Sequence, residues 1–139
     1  MSDNKGARII QFPKIHDPRG NLTFIEGKNH IPFDVKRSFW IYDVPGGEVR
    51  GGHAYREGQE VIIALSGSFD VLVDYGDWTQ IYNLNRSYLG LYIPNLTWRQ
   101  MIHFSTNSVA LVLASSDYLA DDYVHRYAEY LELKKNDSA

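Results

Sequence analysis

Nine short apolar or alternating segments recur along this chain, each closed by a turn signal, and this rhythm constrains the fold more than any other feature of the sequence. They cover 9–12, 22–26, 35–44, 60–65, 69–73, 78–84, 89–93, 98–104 and 109–114. The breakers between them include Pro18-Arg19-Gly20, Pro45-Gly46-Gly47, Ser66-Gly67, Tyr75-Gly76-Asp77, Pro94-Asn95 and Thr106-Asn107-Ser108. Strands at a spacing of about eight to twelve residues build a sandwich or barrel. Ten Tyr, six Phe and three Trp in 139 residues favour strands over helices in the same sense. Phe69, Val71 and Val73 alternate with Asp70, Leu72 and Asp74, so that segment turns one face inward.

The final twenty residues change character. Asp121 or Asp122 can cap a helix, after which Tyr123, Val124, Tyr127, Tyr130 and Leu131 share one side and Arg126, Glu129 and Lys134 the other. No repeat or linker divides the chain. The expectation is one all-β domain over 1–139, a jelly-roll barrel with a single C-terminal α-helix.

Composition excludes several classes of function. Without cysteine there is no thiolate nucleophile, iron–sulfur centre or disulfide scaffold. Fourteen Lys and Arg against seventeen Asp and Glu leave a net charge of −3, and no basic block exceeds Lys134-Lys135, so nucleic acid is not an expected partner. The longest apolar run, 109–114, is far too short to span a membrane, and no apolar signal core follows the N-terminus; a cytoplasmic protein is expected.

The stretch most informative about chemistry is 49–67, VRGGHAYREGQEVIIALSG. A glycine pair, which offers a ligand close approach, precedes His53; Tyr55 follows at the two-residue offset that puts both rings on one strand face, and Glu60 and Gly67 come later. His53 is therefore the candidate proton acceptor. His16, His30, His103 and His125 lie beside turn, loop or helix signals and read as structural or exposed. Arg19, Arg37, Arg50 and Arg99 fall on segments that converge in a barrel, and guanidiniums in an aromatic-lined cavity suit a diphosphate. Tyr42, Tyr92 and Trp98 are candidates to stack on a base or sugar.

The spacing of His53, Tyr55 and Glu60 resembles the first motif of the cupin superfamily, and 92–99 resembles the second. Where metal-binding cupins carry further histidines this chain has Tyr55 and Arg99, and a guanidinium cannot coordinate a cation, so neither metal nor other cofactor is expected. More specifically, 16–22, 31–37, 50–56, 65–68, 90–94 and Thr97-Trp98, in that order and with the tail 116–127, resemble the sugar nucleotide 3,4-ketoisomerases of the FdtA/WxcM-like group. The resemblance implies a homodimer of jelly-roll subunits that moves the carbonyl of thymidine-diphosphate-4-keto-6-deoxyglucose from C4 to C3 in deoxyaminosugar biosynthesis. It implies His53 as base and Tyr55 and Arg99 as further catalytic residues. Arg19, Arg37, Arg50, Tyr42, Tyr92 and Trp98 become substrate-binding by the same implication. Two other functions remain open at this point: a nucleotide-sugar epimerase, and a nucleotide-sugar-binding domain without turnover.

Overall fold

The alternation seen in the sequence is realised as two facing five-stranded sheets. The computed structural model describes residues 6–138. In chain order the strands are β1 (Arg8–Gln11), β2 (Lys14–Ile15), β3 (Leu22–Thr23), β4 (Arg37–Tyr42), β5 (Arg50–Tyr55) and β6 (Glu60–Ser66). They continue as β7 (Phe69–Asp74), β8 (Thr79–Leu84), β9 (Leu89–Ile93), β10 (Trp98–Ile102), β11 (Val109–Ala114) and β12 (Tyr123–Val124). One sheet has the order β1-β9-β6-β11-β4, the other β12-β5-β10-β7-β8, and β2-β3 forms a separate hairpin. The jelly-roll expectation therefore holds as two stacked sheets; among the described residues no ladder closes them into a continuous barrel.

The core lies between the sheets. Phe69, Val71 and Val73 from one sheet meet Ile62, Ala64, Ala110 and Val112 from the other, all nearly inaccessible to water. Period-two alternation supplies these faces without further instruction. Val61 and Ile63 point the opposite way, where Phe12, Ile31 and Phe33 cover them as a second layer.

Two features depart from the sequence reading. The helix α2 begins only at Tyr127 and runs to Ser138, and a one-turn helix α1 at Gly27–His30 makes it the second helix of the chain. Ahead of α2, Ala120–Asp122 is a 3₁₀ turn, and Tyr123 and Val124 pair antiparallel with Tyr55 and Ala54. The Asp122 carboxylate does not cap a helix. It accepts the backbone N–H groups of Glu57 and Gly58 at 2.7 and 3.0 Å, pinning the chain alongside the end of β5 so that an aromatic and a β-branched residue complete a ladder. Tyr130 then anchors α2: it is fully buried against Trp98, Ala54 and Val124, and its hydroxyl donates to the Asp74 carbonyl at 2.7 Å.

The second departure is the glycine pair. Gly51 has φ of 96° and Gly52 of 64°, and β5 shifts register against β10 there, between Arg99 and Gln100. A Cβ on Gly51 would stand 3.2 Å from the Arg99 carbonyl oxygen. At Gly51 the space left by the missing side chain is thus filled by the backbone of β10, and the two glycines, both at positive φ, allow a bulge that re-aims the strand beside His53.

Candidate active site

At one end of the core the apolar filling gives way to polar residues around a cavity of about 230 Å³, which opens between β5, β6, β10 and β12. Parity determines who points there. On β10, Arg99 and Met101 face inward; on β6, Glu60 and Ile62 do; on β5, His53 and Tyr55. Arg50 and Tyr123 complete the polar lining.

Arg99 is the hub. Only 1% of its side chain is exposed, and its Nη1 donates to Glu60 Oε1 at 2.6 Å, itself 4% exposed, while Nε donates to the Thr97 carbonyl. The guanidinium also lies 5.0 Å above the Tyr55 ring. Removing two charges from water is costly, so this pair is held by charge-assisted hydrogen bonding and by the absence of any alternative solvent. It leaves Glu60 engaged with a fixed cation. That donor set does not suit a metal, and among the described residues no three His, Asp or Glu side chains gather at one point.

Around the hub lies a cluster of rings. His53 packs against Tyr55 at 4.9 Å and Tyr123 at 5.2 Å between centroids, and Tyr55 packs against Tyr123 at 4.7 Å. Burial, with the Arg99 charge in second place, lowers the pKa of His53 to about 3, although a hydrogen bond with the Gly51 backbone acts in the opposite direction. The imidazole is consequently neutral at physiological pH. Since Nε2 has no partner, the nitrogen engaged with Gly51 is Nδ1, and a donated Nδ1–H leaves the Nε2 lone pair free. Tyr55 moves the other way: burial and the neighbouring Glu60 carboxylate push its hydroxyl well above the ordinary phenol range. It is a permanent donor and not a neutral-pH base.

The lowered His53 pKa has a consequence for stability. As pH falls below the ordinary histidine value of about 6.5, the unfolded chain takes up a proton that the folded chain refuses, so stability declines with acidification down to about pH 3. Between about pH 7.5 and about pH 5.5 the loss due to this residue is on the order of 1 kcal/mol. Urea unfolding at the two values should show that loss in the wild-type chain and not in His53→Asn; equal acid sensitivity of the two would contradict the assignment.

Five buried side-chain atoms lack hydrogen-bond partners among the described residues: His53 Nε2, Arg99 Nη2, Glu60 Oε2, and Nε and Nη1 of Arg37. An unsatisfied buried polar atom costs about 1–3 kcal/mol. Arg37 lies at the inner-facing start of β4, against the rings of Phe39 and Tyr118; Phe39 lines the cavity and Arg37 itself does not. Three of the five, on His53, Glu60 and Arg99, belong to residues that line the cavity, and such a concentration of unpartnered donors and acceptors suits a polar ligand.

Not every residue singled out in the sequence reaches it. Trp98 neighbours Arg99 on β10 and so faces the opposite way, packing against Tyr130 and Tyr127 of α2. Tyr42 is 57% exposed on the outer face of β4, since Phe39 and Ile41 hold the inner one. Tyr92 packs with Phe33 in the outer layer and donates its hydroxyl to Gln59 at 2.6 Å. Arg19 sits in the turn joining β2 and β3, its side chain 90% exposed and paired with Asp17. None of the four lines the cavity in a single chain.

One residue read as peripheral stands beside the site without lining the cavity. Extending the β12–β5 register beyond Val124 sets His125 across from His53, and their ring centroids are 6.5 Å apart. His125 stacks on Tyr123 at 5.3 Å and 11° and is exposed at the mouth. The signal in the sequence is a ring–small–ring triplet, Tyr123-Val124-His125, mirroring His53-Ala54-Tyr55 on its partner strand.

Residues 5–135 match the family described as WxcM-like, C-terminal (FdtA). The chain is 39% identical over 123 residues to the TDP-4-oxo-6-deoxy-alpha-D-glucose-3,4-oxoisomerase of Aneurinibacillus thermoaerophilus, covering 88% of both. It superposes with TM-score 0.94 and 38% identity on QdtA, a sugar 3,4-ketoisomerase from Thermoanaerobacterium thermosaccharolyticum in complex with TDP, covering 98% of this chain and 99% of that one. A variant of that enzyme has been crystallised with TDP-4-keto-6-deoxyglucose. WlaRA, the TDP-fucose-3,4-ketoisomerase of Campylobacter jejuni, matches with TM-score 0.88 and 35% identity over 96% of this chain and 98% of that one.

Proposed function

This chain belongs to the FdtA, WxcM-like family, and from that premise we propose that it is a TDP-4-keto-6-deoxyglucose 3,4-ketoisomerase with His53 as its base. The observation that carries the reading is the unpartnered, neutral Nε2 of His53 inside the cavity, beside the fixed cation Arg99. A ketone at C4 acidifies the C3 proton. Nε2 accepts it, breaking the C3–H bond and leaving an enediolate whose negative charge falls on the oxygens. The free Nη2 of Arg99 and the Tyr55 hydroxyl are donors that stabilise this charge more than they stabilise the ketone. Return of a proton to C4, with transfer of the hydroxyl proton from O3 to O4, completes the exchange and leaves the carbonyl at C3.

A cavity of about 230 Å³ is smaller than the pockets that enclose a whole drug-sized ligand. It suits the sugar, while the nucleotide extends across the rim. There Arg37, whose Nε and Nη1 lack partners, supplies a cation for the diphosphate, with Arg50 in the cavity lining. Trp40, Tyr42 and Leu65, each more than half exposed, make the outer face of the first sheet apolar, which supports a homodimer formed through that face. A nucleoside-diphosphate sugar as substrate supports a cytoplasmic reaction.

Incubation with TDP-4-keto-6-deoxyglucose followed by proton NMR tests the reading. The expected product has a proton at C4 and none at C3, and forms at the same rate after treatment with a chelator because Glu60 is already committed to Arg99. A dependence of turnover on added divalent metal would contradict the role given to that pair.

A further inference from the structure

Isomerisation moves two kinds of proton, one between carbons and one between oxygens, and the cavity holds more than one ring able to serve. We infer that His125 is the second acid–base residue, carrying the hydroxyl proton from O3 to O4 while His53 works at the carbons. The inference rests on the isomerase reading above. Its geometry is a cross-strand one: β12 sets His125 opposite His53 with 6.5 Å between ring centroids, close enough for both imidazoles to reach neighbouring atoms of one sugar bound between them.

Elimination among the polar lining leaves no group but His53 for this step, and His125, stacked on Tyr123 at the edge of that lining, is the neighbouring imidazole. Arg50 and Arg99 are permanently protonated, and Glu60 is locked in its ion pair with Arg99. Tyr55 is held as a donor by burial and by Glu60, and Tyr123 is a phenol that bonds to Tyr55. Imidazole is the remaining side-chain type that both gives and takes a proton, and His53 and His125 stand together here. His53 uses Nδ1 for the Gly51 backbone, which leaves it one working nitrogen. His125 has its face fixed by stacking on Tyr123 while its edge stays exposed at the mouth, in contact with solvent that can resupply a lost proton.

The step balances. In the enediolate, the O3–H bond breaks as an imidazole nitrogen of His125 accepts the proton; O4 then accepts a proton from the same imidazolium. The electron pair of the C3–C4 double bond takes up the proton delivered by His53 at C4, and the O3 lone pair closes the new carbonyl. No oxidant, reductant or co-reactant is consumed.

The test uses His125→Ala and His125→Asn in the full chain, with substrate turnover, TDP affinity and rescue by free imidazole as readouts. The expected result is a loss of kcat of about a hundredfold in both variants, TDP affinity within about twofold of wild type, and recovery of at least about tenfold when imidazole is added to His125→Ala. Turnover within about threefold of wild type overturns the inference. So does a loss that imidazole does not relieve and that brings a matching loss of TDP affinity, because that pattern belongs to a residue that only shapes the mouth. Wild-type protein run alongside separates the two readings: if it forms no 3-keto product, the isomerase reading falls and the inference with it, whereas fully active variants remove the inference alone.

Discussion

Replacing His53 by Asn lowers turnover by at least about a hundredfold and leaves TDP affinity within about threefold of wild type. Asparagine fills a similar volume and can keep a hydrogen bond to the Gly51 backbone, but it offers no lone pair of adequate basicity at the position of Nε2. Arg37, the proposed diphosphate contact, is on a strand of the opposite sheet and is untouched by the change. Steady-state kinetics with calorimetric titration of TDP separates the two effects. Wild-type turnover in this variant would remove His53 from the chemistry, and parallel loss of TDP binding would make it a binding residue.

Arg99→Met has the largest expected effect on stability. It deletes one member of an ion pair whose side chains are 1% and 4% exposed, leaving the Glu60 carboxylate charged and unpaired in the core. Breaking such a pair costs about 3–5 kcal/mol. Converting Glu60 to Gln in the same chain removes the stranded charge and should return most of that stability, since uncharged groups of similar volume replace a buried pair at little net cost. Catalysis behaves differently. Both the single and the double variant lack the donor aimed at the enediolate, so kcat stays down by about a hundredfold or more in each. Urea unfolding read beside kcat distinguishes the two roles of one arginine. Recovery of activity with stability in the double variant would reduce Arg99 to a structural residue, and an unchanged midpoint in Arg99→Met would show the pair to be hydrated in solution.

Much of this architecture was legible in the sequence because alternation is local. Phe69, Val71 and Val73 declare their inward face within six residues, and the fold class follows from many such segments. His53 was legible too, through its offset from Tyr55. The same parity argument, applied to neighbours, would have separated Arg99 from Trp98 and Arg37 from Tyr42, since adjacent residues of one strand cannot both face the cavity. What sequence could not supply was the long-range pairing. Glu60 and Arg99 meet across thirty-nine positions, and no local pattern states that their charges neutralise one another. His125 was hidden for another reason: Tyr123, Tyr127 and Tyr130 recur near the helical period, so a short strand followed by a helix reads as one longer helix. The glycine pair was legible as a stretch without side-chain bulk, but that the backbone of β10 occupies the space at Gly51 is revealed only by the register.

The central claim is that the carbonyl moves from C4 to C3 while C5 is left untouched. Carbons 3 and 5 both flank the C4 ketone and both carry acidified protons, so a reaction followed by NMR in deuterium oxide discriminates directly between isomerisation and its rivals. The account predicts a product with its carbonyl at C3 and its C5 proton retained, because the neutral imidazole of His53, its Nε2 unpartnered, lines the cavity beside Arg99 in which the sugar is proposed to bind. A sugar that keeps its carbonyl at C4 while deuterium enters at C3 or C5 would make this chain an epimerase, and one that binds TDP and returns unchanged would make it a binding domain; either result contradicts the account.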